Sequence, residues 1–138
     1  DSEGAKTRII FEHEPDKNEV VAVLRNFVGE ITQIPPQFSA IRIKGVKAYK
    51  MARRGVEVDI KPRKALVKKI ELIDYTWPFI TINVETCPGV YVRTLARDIG
   101  ASLGTGGYVV ELQRTRVGEY LLKDAISPEE LCKIFKER

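Results

Sequence analysis

The chain has 138 residues, of which 43% are hydrophobic and 30% charged, values that fit one soluble globular domain rather than a disordered or membrane protein. Its apolar runs span only a few residues, far short of the roughly 20 that a membrane helix needs. With two cysteines and one histidine, it lacks the four or so ligands of a structural zinc site, so no metal is expected.

Taken in chain order, residues 7–12, "TRIIFE", read as a short strand that carries His13 at its end as a surface residue. Asp16 then has the look of an N-cap, with Glu19 three residues later completing a capping box. Val20, Val21, Leu24, Phe27 and Val28 recur at helical spacing, which predicts a helix of about three turns ending near Gly29. The Pro35-Pro36 pair forbids regular helix and fixes an extended approach. Ser39 to Ile43 reads as a strand turning at Lys44-Gly45. "VKAYKMARRG" follows as a short helix closed by Gly55, with Lys47, Lys50 and Arg54 on one face and Ala48, Met51 and Ala52 on another.

Strand signals resume at 56–60, 65–75 and 79–86. In the last of these, Ile80, Ile82 and Val84 alternate with Thr81, Asn83 and Glu85, the pattern of a sheet with one buried face. The helix after Tyr91 should bury Val92, Leu95, Ala96, Ile99 and Leu103, with its end marked by Gly100 and by the run "GTGG" at 104–107. That run lacks the ending of a phosphate-binding loop and the spacing of a dinucleotide fingerprint, so a tight turn is its reading. "YVVELQRTRVGEY" reads as a turn of helix followed by a strand. "SPEELCKIFKER" reads as a terminal helix with Ser127 as N-cap and Pro128 at the first helical position. The mixture predicts an α+β fold: a mixed, mainly antiparallel sheet with flanking helices, in one domain over 1–138. No charged-then-apolar leader opens the chain, and Asp1 in place of Met suggests an excised or truncated piece. Cys87 and Cys132 lie far apart, as in a domain of the reducing cytoplasm.

Charge is unevenly placed. Between Arg42 and Lys69 eleven basic residues face only Glu57 and Asp59, so this segment carries +9 while the remainder carries −5. Such asymmetry is the electrostatic footprint of a polyphosphate partner, although a basic face that serves only solubility has the same composition. In "CPGVYVRTLARDIGASLGTGGY", Tyr91 and Arg93 stand where an apolar strand gives way to a helix. A flat ring beside a guanidinium that pairs with a carboxylate is a sensible receptor for a nucleobase. The alternative is an ordinary amphipathic helix start with a solvated Arg and a half-buried Tyr.

"IPPQFSAIRIKGVKAYKMARRG", "CPGVYVRTLARDIGASLGTGGYVVELQRTRVGEY" and the opening "DSEG" resemble, in order and spacing, the TruB family of tRNA pseudouridine synthases. The resemblance implies a partial pseudouridine synthase fold and the isomerisation of a T-loop uridine, with the tRNA T arm as partner and no cofactor. By the same resemblance, Tyr91 is the tyrosine that stacks on the flipped uracil. Arg93 is the arginine that holds the catalytic aspartate, and Leu112 packs beside the active site. A segment of about 33–69 matches a "thumb" insertion that closes on RNA, with Lys44, Lys47, Lys50, Arg53 and Arg54 as its RNA-binding cations.

The sequence departs from the family in one place. The nucleophile's Gly-x-Leu-Asp-Pro loop does not occur here, and Asp1, Asp16, Asp59, Asp74, Asp98 and Asp124 all stand in other contexts. The resemblance therefore implies an aspartate upstream of residue 1, possessed by the parent enzyme or by an accompanying segment, and a fragment inactive alone. The PUA domain common in the family is not expected within residues 1–138. The reading from a different class is a non-catalytic RNA-binding module that keeps the cations and lacks the nucleophile.

Overall fold

The computed structural model describes residues 6, 7, 10–36, 42, 43, 46–55 and 60–136. Its core is a three-stranded antiparallel sheet, β1 (Gly29–Gln33), β4 (Arg63–Thr76) and β5 (Phe79–Thr86), in the order β1-β4-β5. On one face lie two helices, α1 (Lys17–Asn26) and α3 (Val92–Ser102). Between β1 and β4 the chain forms a small hairpin, β2 (Arg42–Ile43) with β3 (Val46–Lys47), and then the helix α2 (Ala48–Ala52). After α3 come a second small hairpin, β6 (Arg116–Val117) with β7 (Tyr120–Leu121), a 3-10 turn and α4 (Pro128–Lys136). This is the α+β class with antiparallel pairing.

The helix α1 starts where its cap requires. Asp16 Oδ1 accepts the backbone N–H groups of Asn18 (2.7 Å) and Glu19 (2.9 Å), and the Asp16 N–H donates to Glu19 Oε2 at 2.7 Å. That reciprocal box satisfies donors the helix itself leaves orphaned. Val20 and Leu24 are then one turn apart on one face and meet Leu95 and Ile99 of α3 in the central cluster.

The strand β4 is 14 residues long, and its apolar residues do not keep one parity. Ala65 and Val67 are buried, then Ile70 and Leu72 face the core, then Tyr75. Two register shifts against β5 reconcile these sets, because Lys68 and Ile73 are extra residues with no partner in the ladder. Each bulge advances the chain by one residue and so returns the next apolar residue to the same face. Ile70, Leu72 and Tyr75 thereby lie opposite Val84, Ile82 and Ile80. The strict alternation of β5 needs no such device.

Several expectations are corrected by this architecture. Among the described residues of 7–12, none is in a strand, and His13 instead contacts Glu19 at 3.1 Å across the α1 cap. The first helix stops at Asn26, and Gly29, with φ +103°, opens a strand that the helical spacing of Phe27 and Val28 obscures. Residues 108–115 hold no helical turn; they are irregular, with a bend at Val110, and lead into β6. Gly100 lies inside α3, not beyond its end. The strand read at 56–60 falls outside the described residues apart from Ile60, which is not in a strand, and of the strand read from Ser39 to Ile43 only the end that forms β2 is described. The terminal helix stands as read: the Glu130 N–H donates to Ser127 Oγ at 3.2 Å and the Ser127 N–H to Glu130 Oε2 at 2.8 Å.

Candidate functional site

Cys87, Pro88 and Gly89 turn the chain out of β5, and Gly89 adopts φ +94°, which only glycine takes without strain. Tyr91 follows as the N-cap of α3, extended at φ −96° and ψ 107°, and its phenol plays no part in capping. Its carbonyl accepts the first helical bond, from the Leu95 N–H at 2.9 Å. Arg93 is the second residue of the helix and is half-buried.

What fixes this junction is a residue that no sequence motif marks. Gln33, at the end of β1, is 1% exposed. Its Oε1 accepts the Tyr91 N–H at 2.9 Å, and its Nε2 donates to the Tyr91 carbonyl at 3.2 Å. Beside it, the hydroxyl of Thr94, 2% exposed, donates to the Ile34 carbonyl at 3.3 Å. Pro35 and Pro36 have no N–H to offer, so side chains of the neighbouring element complete the bonding at this end of the strand. The available signal was positional: alternation along β1 puts Gln33 on the same face as Ile31, where an apolar residue would be ordinary.

The ring of Tyr91 packs, with Met51, on a small cluster formed by Ala48 and Ile60. Ala48 begins α2, so the tyrosine is the seat on which that helix rests. The opposite side of the helical turn carries Lys50, Arg53 and Arg54, all exposed, with the Arg53 guanidinium 5.7 Å from the centre of the Tyr49 ring. The expected packing through Ala48 and Met51 is thus present. Lys47 does not share the helical face with Lys50 and Arg54, because it belongs to β3 and pairs with Arg42 in the hairpin. Lys44 lies outside the described residues.

Folding also redistributes the charge. Lys64 meets Glu30 at 2.7 Å, Lys69 meets Glu71 at 2.6 Å and Lys68 meets Glu85 at 3.7 Å. These three acids lie outside the cation-rich stretch of sequence. The hydrogen bond from Lys64 to Glu30 raises the lysine above its ordinary value, and the one from Lys69 holds Glu71 below the usual carboxylate range. Lys64, Lys68 and Lys69 of β4 are therefore paired, Glu85 being shared with Arg116 at 3.1 Å, whereas Lys50, Arg53, Arg54, Lys61 and Arg63 make no ion pair among the described residues. Among the described residues, Lys50, Arg53 and Arg54 form a cationic patch on and just after the helix seated on Tyr91, and Lys61 and Arg63 are exposed as well.

At its far end α3 is bound to the "GTGG" turn. The N–H groups of Thr105 and Gly106 both donate to the Gly100 carbonyl at 3.0 Å. A Cβ on Gly100 would stand 2.2 Å from the Gly106 carbonyl carbon, and one on Gly107 would stand 2.8 Å from the Ala96 oxygen. Two glycines therefore let loop backbone lie directly on helix backbone, and the tight-turn reading holds. From there the chain reaches Leu112, which is 64% exposed and joins neither apolar cluster. The structure packs Tyr91 against the basic helix, with Arg93 two residues on in α3, and leaves Leu112 exposed on an irregular segment. Among the described residues no group of three His, Cys, Asp or Glu side chains could hold a metal ion, and no helix is long and apolar enough to cross a membrane.

Comparison with known proteins adds the following. The sequence model of the TruB family pseudouridylate synthase N-terminal domain matches residues 1–92, and that of the tRNA pseudouridylate synthase B C-terminal domain matches residues 93–138. A protein named tRNA pseudouridine synthase B from Parabacteroides distasonis is 46% identical over 112 residues, covering 81% of this chain and 48% of the relative. One of the same name from Rickettsia akari is 42% identical over 128 residues, covering 89% of this chain and 44% of the relative. In structure, the chain is similar to one in the crystal structure of a Cbf5-Nop10-Gar1 complex, with a TM-score of 0.71 and 25% identity, over 91% of this chain and 33% of that one. The chain spans about half the length, or less, of the curated relatives it matches.

Proposed function

Because the chain belongs to the TruB family of pseudouridylate synthases, we propose that it forms the base-binding and RNA-gripping part of a tRNA pseudouridine synthase that acts on a uridine of the T arm. One observation carries this reading: Tyr91 is at once the N-cap of the helix that bears Arg93 and the seat of the basic helix α2. A ring able to stack on a base and three exposed cations able to grip a phosphate backbone thus share one packed body.

In this reading the uridine is turned out of the RNA and its ring lies against Tyr91. The family's catalytic aspartate, which none of this chain's own aspartates matches in context, attacks the nucleotide. The N-glycosidic bond breaks, the detached uracil turns, and a ring carbon is joined to the ribose in place of the nitrogen; that carbon gives up its proton, the nitrogen gains one, and the aspartate is released. Arg93 pairs with that aspartate, keeping it ionised and aimed, since an opposite charge at contact distance favours the charged carboxylate. Leu112 lies against the bound nucleotide once the RNA covers the surface on which it now stands. Lys44, Lys47, Lys50, Arg53 and Arg54 supply phosphate contacts from the segment that closes on the hairpin.

The test is Arg93→Ala in the complete enzyme, with turnover and affinity for a tRNA transcript measured together. Turnover should fall by about a hundredfold or more, as when a charged group that aims a catalytic residue is removed, while affinity changes by less than about threefold. Normal turnover with weakened binding would instead make Arg93 a phosphate contact. RNA binding by a complete protein that shows no conversion of uridine would favour the non-catalytic module.

A further inference from the structure

The proposed reaction needs the Tyr91 ring and the Arg93 guanidinium held in fixed relation, yet both stand at a strand-to-helix junction, where backbone has the most freedom. Helix N-caps are usually held by their own side chain, and the Tyr91 side chain makes no such bond. The Tyr91 N–H is, moreover, one donor that no turn of α3 can satisfy.

Gln33 answers both needs. Its amide presents an acceptor to the Tyr91 N–H and a donor to the Tyr91 carbonyl, so one side chain grips both polar groups of a single residue, as a neighbouring strand would. Two anchor points prevent the residue from turning about either bond alone. The grip comes from the rigid sheet, because the Gln33 backbone lies opposite Arg63 in the β1–β4 ladder. The Gln33 side chain is itself withdrawn from water, which strengthens its bonds and makes an unpaired group there costly. A leucine or methionine at the same core-facing position would fill the volume and leave the Tyr91 N–H buried without a partner. Buried polarity at a packing position, with both ends of the amide spent on one residue, marks Gln33 as something other than filler.

We propose that Gln33 is a positioning residue of the synthase: it holds the Tyr91 backbone so that ring and guanidinium address the base and its nucleophile together. This rests on the reading of Tyr91 and Arg93 given above. Gln33 touches neither the base nor the nucleophile, and acts through Tyr91.

The experiment compares Gln33→Met, which keeps the volume and loses both bonds, with Val20→Ala, a core truncation in α1 that weakens the fold without touching the junction. Both are made in the complete enzyme and assayed below their melting temperatures on a tRNA transcript. For Gln33→Met, kcat should drop by about 10- to 100-fold while KM changes by less than about threefold, because a small misplacement affects the reacting geometry more than the phosphate grip. Val20→Ala should keep kcat within about twofold. Amide hydrogen exchange supplies a readout independent of turnover: the Tyr91 N–H should be protected in the parent and lose at least about tenfold of that protection in Gln33→Met. Equal loss of kcat in both variants, or an unchanged kcat in Gln33→Met, would overturn the positioning role. Unchanged protection of the Tyr91 N–H would overturn the grip itself. A parent enzyme with a protected Tyr91 N–H but no conversion of uridine would leave the grip standing and refute the functional reading, and with it the role of Gln33 in catalysis.

Discussion

Replacing Gly100 with alanine puts the helix–loop packing to a direct test. Judged locally, the change should help, because alanine is favoured over glycine inside a helix by about 1 kcal/mol. In the fold, the new Cβ would stand 2.2 Å from the Gly106 carbonyl carbon, 2.3 Å from its oxygen and 2.4 Å from the Gly107 nitrogen. All three are backbone atoms, so no side chain can swing aside. To regain an ordinary contact of 3.4 Å the loop must retreat by about 1.2 Å, which stretches the bonds from Thr105 and Gly106 to the Gly100 carbonyl. Overpacking costs about 1–3 kcal/mol and two weakened hydrogen bonds about 1 kcal/mol each, so the net loss is about 2–4 kcal/mol after the helical gain. Urea unfolding of the complete protein measures it. Gly104→Ala is the control, since its Cβ would meet nothing within 4 Å and only its φ of +71° is unfavourable, at about 1 kcal/mol. A Gly100→Ala protein as stable as its parent would refute the close approach, and with it the claim that this loop is laid on α3 by its glycines.

Further outcomes follow from other parts of the fold. Asp16→Ala should destabilise by about 1 kcal/mol, the worth of an N-cap whose helix carries Val20 and Leu24 into the core, as read by thermal melting. The Asp16 N–H and then His13 hold the Glu19 carboxyl below its ordinary value. A depressed folded-state value contributes stability above the unfolded-state one and loses it as pH falls through the folded-state one, so Glu19→Gln should flatten the acid limb of a stability–pH curve. Deleting Ile73, the unpaired residue of the second bulge, should leave a regular ladder with Asp74 opposite Thr81 and cost far less than deleting Asn83, which would turn one end of β5 inside out. Changing Lys50, Arg53 and Arg54 to alanine should make the log–log salt dependence of tRNA binding shallower by about 0.7–0.9 for each phosphate left without its cation, with the melting temperature nearly unchanged; an unaltered slope would remove α2 from the interface.

Much of this was legible in the residues because local rules and tertiary packing agree. The Asp16–Glu19 and Ser127–Glu130 boxes announce their helices, and β5 alternates without interruption. The strand β1 was hidden because its five residues, "GEITQ", follow apolar residues that extend the helical rhythm, so only pairing with β4 reveals it. The changing parity of β4 likewise has meaning only against a partner strand. The Tyr91–Arg93 pair could be picked out as a candidate, but Gln33 could not, since its importance lies in bonds to a residue 58 positions away. Charge was legible as a total but not as a set of pairings. Adjacency in sequence suggested a single basic module, and the fold brings Glu30, Glu71 and Glu85 to the lysines of β4 while Lys50, Arg53, Arg54, Lys61 and Arg63 keep no acidic partner among the described residues.

Gln33 and Arg63 face one another on the same rung of the sheet, so the chain leaves the core and returns to it at a single doorway. Everything from 34 to 62 is a cassette whose two ends are about 5 Å apart, a gap that a hairpin turn of about two residues could close. Its length, sequence and charge can change without shifting any other pairing of the sheet. Among the described residues, it is tied to the body by the bond from Thr94 to Ile34 and by the seat that Tyr91 offers to Ala48 and Ile60. Segments of other length, sequence and charge can therefore replace this one while the sheet and its two helices keep their packing, provided that those two contacts are kept.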